Sequence, residues 1–421
     1  MIKAFSYSFV LSFIAVGSAV SQNSIDGKSV EVVVTDRMPA VASAPVAKAA
    51  PTPLVVGRPR VAEEAPPVPN PSVPAASTGA PRTLSFTEIK SKIAEGRRQL
   101  QTRPLVTASV GARFEGIETV RVAFHNWRTN ELDYVVLTKE SFLSTREEKQ
   151  LTSENGLPIT LRTIRGNGVN TPVTITDGTG MNHLPLLVQY PRVANGQYQE
   201  MAYYMSTHPG LITPEVVGAG KIYVRNVIDI ARDRLRERNI TIQPRIADMA
   251  ERLAVVEHVD HARFRNEIHQ SIYNDVFTLF ALNEGGTYRY AVSSANAGGM
   301  VQMIPSTYRM VRAQYPQVPL MPDFVEGMRD HVNAAQAMLL YMQWTWDDIR
   351  VRPAIANALI TGLATQEQLM AAGYNSNPAR LAGYISRGGA SWTTLIPRET
   401  QMYLQIYASL ERNVPQTPRA R

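Results

Sequence analysis

Residues 284–305 read EGGTYRYAVSSANAGGMVQMIP and join an apolar helical run to a glycine-rich turn. Glu284 closes that run, since residues 276–282 are almost all apolar, and Gly285 and Gly286 follow it at once. A carboxylate that leaves an apolar helix into a flexible turn is expected to be half desolvated, which favours its protonated form. The pattern therefore predicts that Glu284 is a general acid.

Three further stretches lie downstream of Glu284 in a fixed order. They are SSANAGGMVQMIP at 293–305, GYNSNPAR at 373–380 and PRETQMY at 397–403. Together with Glu284 they resemble the lytic transglycosylases, which are murein-cleaving enzymes with a lysozyme-like fold. The first stretch keeps the spacing of the family's S-x-x-G-A-x-G-L-M-Q motif without a gap, and the resemblance extends over residues 245–412.

The resemblance implies a glycosidic-bond lyase that uses Glu284 as its only catalytic residue, as acid and then as base. The substrate's own N-acetyl group would stabilise the oxocarbenium-like centre, and the product would carry a 1,6-anhydromuramyl end. The cut bond is the β-1,4 bond between MurNAc and GlcNAc, and neither a cofactor nor a metal is implied. The residues implied to bind the substrate are Ser293, Met300, Gln302, Tyr374, Asn375 and Glu399.

Several positions depart from the family pattern, and the one directly after Glu284 leaves alternatives open. Asn296 stands where the family has glycine, a mild change because asparagine tolerates a left-handed backbone. Gly285 stands where the family usually has serine, which removes a local hydrogen-bond partner from the acid. The alternatives are a hydrolytic muramidase and a catalytically weak peptidoglycan-binding component of a cell-envelope or secretion apparatus.

The N-terminal region predicts export. Lys3 precedes an apolar stretch, and Ala19-Val20-Ser21 fits the rule for cleavage of a secretory signal. Residues 38–82 contain 11 of the 28 prolines, which is typical of an extended linker. We expect a periplasmic or envelope-associated protein without a stable transmembrane segment in its mature form. Whether the signal is cleaved or retained as an anchor stays open.

Between the linker and the motifs the sequence alternates with period two, as half-buried strands do. The clearest example is 118–124, and a capping box at Ser85 to Glu88 predicts a short helix before it. We therefore expect an α+β multidomain chain, in which a β-rich accessory domain precedes an all-helical lysozyme-like catalytic domain. The expected parts are a signal peptide (1–21), a disordered Pro/Ala-rich linker (22–82), the β-rich domain (83–212), a helical connector (213–244), the catalytic domain (245–412) and a disordered tail (413–421).

Composition and charge bear on the partners. The chain has no cysteine, which excludes disulfides and thiolate chemistry, and its formal net charge is +7. The charge suits an anionic partner, but no block of Lys and Arg is present, and the secretory signal disfavours nucleic acid. The expected partners are peptidoglycan glycan strands and a possible envelope-complex partner bound through the β-rich domain.

Two rival sites have weaker support. His258, His261 and His269 lie near one helical face but lack the H-E-x-x-H order of a zinc enzyme, so a solvated helix face is the favoured interpretation. Trp344 and Trp346 could stack on sugars, although a position in the core is favoured.

Overall fold

Alternating apolar residues build an antiparallel sheet in the first half of the described chain. The computed structural model describes residues 83–103, 105, 118–194 and 196–420, so the predicted signal and linker lie outside it. The fold is mixed α+β, with a curled half-barrel sheet and many helices. The strands are β1 Thr119–Asn126, β2 Glu131–Thr138, β3 Lys149–Thr152, β4 Pro158–Thr163, β5 Val173–Asp177, β6 Asn182–Ala194 and β7 Gln197–Met205.

The sheet curls around its longest strand. Its order is β2-β1-β6-β5-β4-β3, and β7 also pairs with β6. Register shifts at Ala123/Phe124 and at Arg192/Val193 allow β6 to pair with β1, β5 and β7 along its length. The predicted strand at 118–124 is confirmed as β1, and the capping box predicted at Ser85 is present.

Helix α1 (Phe86–Gln101) packs its apolar face on the sheet. Its side chains Ile89, Ile93 and Leu100 are buried there. Gly96 permits the close approach, because a Cβ at this position would lie 3.6 Å from Leu132 and 3.8 Å from Leu187. The helix therefore belongs to the sheet's core, as its amphipathic pattern requires.

A helical body follows the sheet. After the short helix α2 (Lys139–Leu143) between β2 and β3, the helices are α3 Pro214–Arg236, α4 Pro244–Val256, α5 His261–Asn266, α6 His269–Asn283, α7 Pro305–Gln314, α8 Phe324–Arg329, α9 His331–Ile349, α10 Pro353–Ile360, α11 Gln366–Asn375, α12 Leu381–Gly388 and α13 Arg398–Asn413. Helix α9 is buried on nearly all sides, and α3, α4, α7, α8 and α11 pack around it. The predicted connector at 213–244 thus contains α3, which is part of this body.

No helix in the part of the chain that the structure describes is long and apolar enough to cross a membrane.

The C-terminal segment differs from the disordered tail expected at 413–421. Residues 414–420 lie against α3 and α4, and Val414 is buried. Arg419 explains the placement, because its guanidinium forms ion pairs with Asp229, Asp248 and Glu251 at 2.6 to 2.9 Å. The segment 414–420 is therefore ordered, because the buried cation of Arg419 joins it to α3 and α4.

Candidate functional site

The carboxyl group of Glu257 lies at the end of α4. Glu257 is the C-terminal cap of this helix, which packs against α3, α9, α11 and α13. The residue is half-buried, and the Tyr403 hydroxyl donates a hydrogen bond of 2.6 Å to its Oε1. Burial raises the pKa of Glu257 to about 8, and the negative charge of Glu399 adds to the shift. Burial therefore favours the protonated form of this carboxyl at neutral pH.

Tyr374 lies beside Glu257. Burial raises the pKa of its hydroxyl, and the charge of Glu257 is the next cause. The hydroxyl donates to the Val301 carbonyl at 2.7 Å, which joins α11 to the loop between α6 and α7. The Tyr341 ring of α9 lies 5.9 Å from the Tyr374 ring, centre to centre. Tyrosines of α11 and α13 thus lie beside the acid, and Tyr341 of α9 packs near Tyr374.

His258 connects the same loop to the end of α4, where Glu257 lies. Its ring stacks on Tyr288 at a centre-to-centre distance of 3.4 Å, and its Nε2 lies 2.9 Å from the Met300 carbonyl. Burial lowers the pKa of His258 to about 3, so the ring is neutral at pH 7 and its Nε2–H donates to that carbonyl. The residue next to Glu257 in the chain therefore fixes the backbone at Met300.

The loop at 291–303 uses the predicted sugar-binding side chains for its own structure. Ser293 Oγ accepts from the backbone N–H groups of Ala295 and Ala297, and the Gln302 amide donates to the Gly299 carbonyl at 2.9 Å. Met300 is fully buried. Asn296 has a φ of 58°, as its tolerance for a left-handed backbone predicts.

The remaining predicted residues lie on α11 and α13. Asn375 Oδ1 accepts a hydrogen bond of 2.8 Å from the Thr400 hydroxyl. Glu399 is exposed, and its charge acts on Glu257. Tyr374 and Glu399 therefore lie near the end of α4, and Asn375 joins α11 to α13 beside them.

Glu284 lies elsewhere, at the end of α6. Its side chain is 52% exposed and forms an ion pair with Lys90 of α1. Its backbone has φ 46° and ψ −125°, a region that favours glycine. Its charge acts on Tyr223 of α3, where it adds to burial in raising the pKa of that hydroxyl. Glu284 is thus a half-exposed carboxylate that faces α1 and α3, whereas Glu257 is the more sheltered of the two carboxyl groups.

Glu257 is the residue that sequence reasoning missed as a catalytic candidate. The signal was present, because Leu253, Ala254, Val255 and Val256 form an apolar run that ends in this carboxylate. Glu257 thus shares with Glu284 the pattern of a carboxylate at the end of an apolar helical run.

The histidines of the rival metal site lie apart in the structure. His258 Nε2 lies by the Met300 carbonyl, whereas His269 Nδ1 lies 2.7 Å from the Ser409 hydroxyl. Among the described residues no group of three His, Cys, Asp or Glu side chains could hold a metal ion. Trp346 is buried, as the core interpretation predicts, and Trp344 is exposed.

Replacing Tyr403 by Phe tests the electrostatics of the acid. The Tyr403 hydroxyl donates to the ionised carboxylate and so opposes the effect of burial on the pKa of Glu257. We expect Tyr403→Phe to raise the pKa of Glu257 further, because the hydrogen bond that favours the carboxylate is lost. The pKa of the carboxyl, followed by carbon NMR of labelled glutamate over pH 5 to 10, checks this. A downward shift would show that the hydroxyl instead stabilises the protonated form.

Comparison with protein families, curated proteins and solved structures finds no match for this chain. The function is therefore argued from the site.

Proposed function

We propose that this protein is an exported murein lytic transglycosylase with a lysozyme-like helical body, and that Glu257 is its acid and base. The observation that carries the proposal is the protonated, half-buried carboxyl of Glu257, grouped with residues of three motif stretches. Tyr374 comes from GYNSNPAR, Tyr403 from PRETQMY, and Met300 and Val301 from SSANAGGMVQMIP. The assignment keeps the chemistry that the sequence motifs imply and changes the acid from Glu284 to Glu257.

The proposed reaction needs one carboxyl group in two protonation states. Protonated Glu257 gives its proton to the glycosidic oxygen, and the bond from that oxygen to the muramyl anomeric carbon breaks. The substrate's N-acetyl group stabilises the cationic centre. The carboxylate then takes a proton from the muramyl C6 hydroxyl, whose oxygen closes the 1,6-anhydro ring. Glu257 regains its proton, and no water is consumed.

The surroundings of Glu257 support both roles. Burial favours the protonated form that the first step requires, and the Tyr403 hydroxyl stabilises the carboxylate that this step leaves. A pKa of about 8 lies close to neutral pH, where a group exchanges its proton most efficiently.

A second candidate function is hydrolysis by a muramidase. The observation that favours it is Glu399, a second carboxylate whose charge acts on Glu257. Retaining and inverting hydrolases both use a pair of carboxyl groups around the bond that they cut. In such an enzyme Glu257 would protonate the departing oxygen, and Glu399 would activate a water molecule or attack the sugar.

The products distinguish the two functions. Purified sacculi digested with the full-length protein are expected to release muropeptides with 1,6-anhydromuramyl ends, as measured by mass spectrometry. Reducing muramyl ends would identify the muramidase instead. Binding to sacculi without any sugar release would contradict both enzymes and support a wall-binding role.

A further inference from the structure

Three arginines meet at the boundary between the sheet and the helical body. Arg192 belongs to β6, Arg289 to the loop after α6, and Arg329 to the end of α8. Their guanidinium groups lie 3.6, 4.0 and 3.3 Å from the carboxylate of Glu200 on β7. We call these three side chains the arginine cradle.

An aromatic ring orients the cradle. The Arg192 guanidinium lies over the Tyr290 ring at 4.1 Å from its centre, and the Arg329 guanidinium lies 6.0 Å from it. Stacking of this kind holds a guanidinium in a fixed plane while its edge stays free to donate. The cradle is therefore prearranged to a degree that loose surface arginines are not.

The cradle carries more positive charge than its neighbours neutralise. Within residues 118–194 and 196–420 its ion-pair partners are Glu200, which all three share, and Glu326, which lies 2.8 Å from Arg329. Burial lowers the pKa of Arg192, as it does for a cation with too few anions around it. The Nε atoms of Arg289 and Arg329 are buried and have no hydrogen-bond partner. Three cations facing two carboxylates leave one net positive charge, and the partly exposed Arg289 side chain can present its guanidinium to a ligand.

One member of the cradle, Arg289, lies on the segment that leads to the loop beside Glu257. Arg289 and Tyr290 follow Tyr288 directly, and the Tyr288 ring stacks on His258, the neighbour of Glu257. The same segment continues into the loop that Tyr374 and His258 hold. A polymer bound at Glu257 would therefore have groups within reach of the cradle.

We propose that the arginine cradle binds a carboxylate of the peptide stems that murein carries. This inference rests on the proposed function and specifies which part of the polymer is recognised beside the cut bond. A guanidinium donates two parallel hydrogen bonds to a carboxylate. Among the described residues the ion-pair partner of Arg289 is the distant Glu200, so Arg289 has the most donors to offer. The peptide stem is the anionic part of the substrate, whereas the sugar chain offers mainly hydroxyl and acetamido groups.

Calorimetry with a free tetrapeptide stem tests the cradle without any cleavage. Arg289→Gln is the first variant, because its side chain is 37% exposed and its loss leaves no group buried without a partner. We expect it to weaken peptide binding about tenfold. Glu200→Gln removes the competing carboxylate and is expected to tighten binding about threefold, an effect that mere loosening of the structure would not produce. Arg236→Gln is the control, since this arginine is 73% exposed on α3 and pairs with Asp233, and its affinity should match the wild type.

Cleavage assays separate failure of this inference from failure of the proposed function. On sacculi with intact stems Arg289→Gln should raise KM about tenfold, and on glycan freed of its stems by an amidase it should change nothing. Equal KM changes on both substrates, or unchanged peptide affinity in Arg289→Gln, would overturn the cradle and leave the proposed function standing. Peptide binding that follows the expected pattern in a protein that cleaves neither substrate would support the cradle and contradict the enzyme.

Discussion

Glu257→Gln is expected to abolish release of sugar from sacculi, whereas Glu284→Gln is expected to retain it. The two residues form a matched pair, because each caps the C-terminus of an apolar helix and each change keeps the size of the side chain. They differ in environment. Glu257 is half-buried beside Tyr403, and Glu284 is half-exposed and paired with Lys90.

The expected loss in Glu257→Gln is at least about 100-fold in kcat, the lower end of what general acid catalysis contributes. An amide cannot protonate the departing oxygen, and nothing else in the grouping replaces the proton. For Glu284→Gln we expect a change of less than about threefold, because an exposed ion pair contributes little. Initial rates of anhydromuropeptide release measure both.

A folding control accompanies this pair. The carboxyl of Glu257 ionises near its ordinary pKa of 4.5 in the unfolded chain and at about 8 in the folded protein. The stability that this group contributes is therefore fully present below pH 4.5 and declines as the pH rises towards 8. Glu257→Gln has no such decline, so at pH 8 it should melt at or above the wild-type temperature. Loss of activity in Glu284→Gln with full activity in Glu257→Gln would reverse the assignment.

Arg419→Met is expected to destabilise the protein by about 3 kcal/mol. The Arg419 side chain is only 4% exposed and holds Asp229 of α3 together with Asp248 and Glu251 of α4. Removing the cation leaves these carboxylates close together, with Arg225 at 3.6 Å from Glu251 as a partial substitute. Because Glu257 ends α4, we also expect a loss of activity.

Urea-induced unfolding measures this effect, with Arg236→Met as the control. Arg236 pairs with Asp233 on the surface of α3, so its replacement should cost less than about 0.5 kcal/mol. Equal stability of the two variants would show that the tail does not hold α3 and α4 together. Greater stability of Arg419→Met would show that desolvation of the ion pairs outweighs their attraction.

Local patterns predicted much of the fold. The capping box at Ser85 and the alternation at 118–124 are short-range features, and both appear as expected. The alternation did not reveal β6, because Pro185 and Pro191 interrupt its pattern and its two halves serve different neighbours. Such a strand forms because of its pairing with other strands, and the periodicity of its own sequence does not reveal that pairing.

The candidate site was predicted in part for the same reason. Tyr374 and Glu399 were identified from their motifs, and the structure brings them to one carboxyl. The sequence pattern pointed to Glu284, which closes the helix before the motif and lies nine positions before Ser293, whereas Glu257 lies 36 positions before it. Helices α5 and α6 occupy the longer interval, and the acid approaches the motif through His258 and Met300. Spacing along the chain cannot show that the end of α4 and the loop at Met300 lie next to each other in the fold.

Ser293 and Gln302 illustrate a second limit of motif reasoning. Polar residues in a cleft motif suggest sugar contacts, yet here they satisfy backbone groups of a loop with positive φ at Asn296 and Gln302. A tight loop leaves N–H and C=O groups that need partners, and nearby polar side chains supply them.

The most direct measurement for the whole account is the titration of the Glu257 carboxyl itself. Carbon NMR of protein labelled at glutamate side-chain carboxyls, compared between wild type and Glu257→Gln, isolates this signal. We expect one wild-type resonance, absent in Glu257→Gln, to titrate with a pKa of about 8. A resonance that titrates near the ordinary value of 4.5 would show a carboxylate with no proton to give at neutral pH, and would contradict the assignment of the acid.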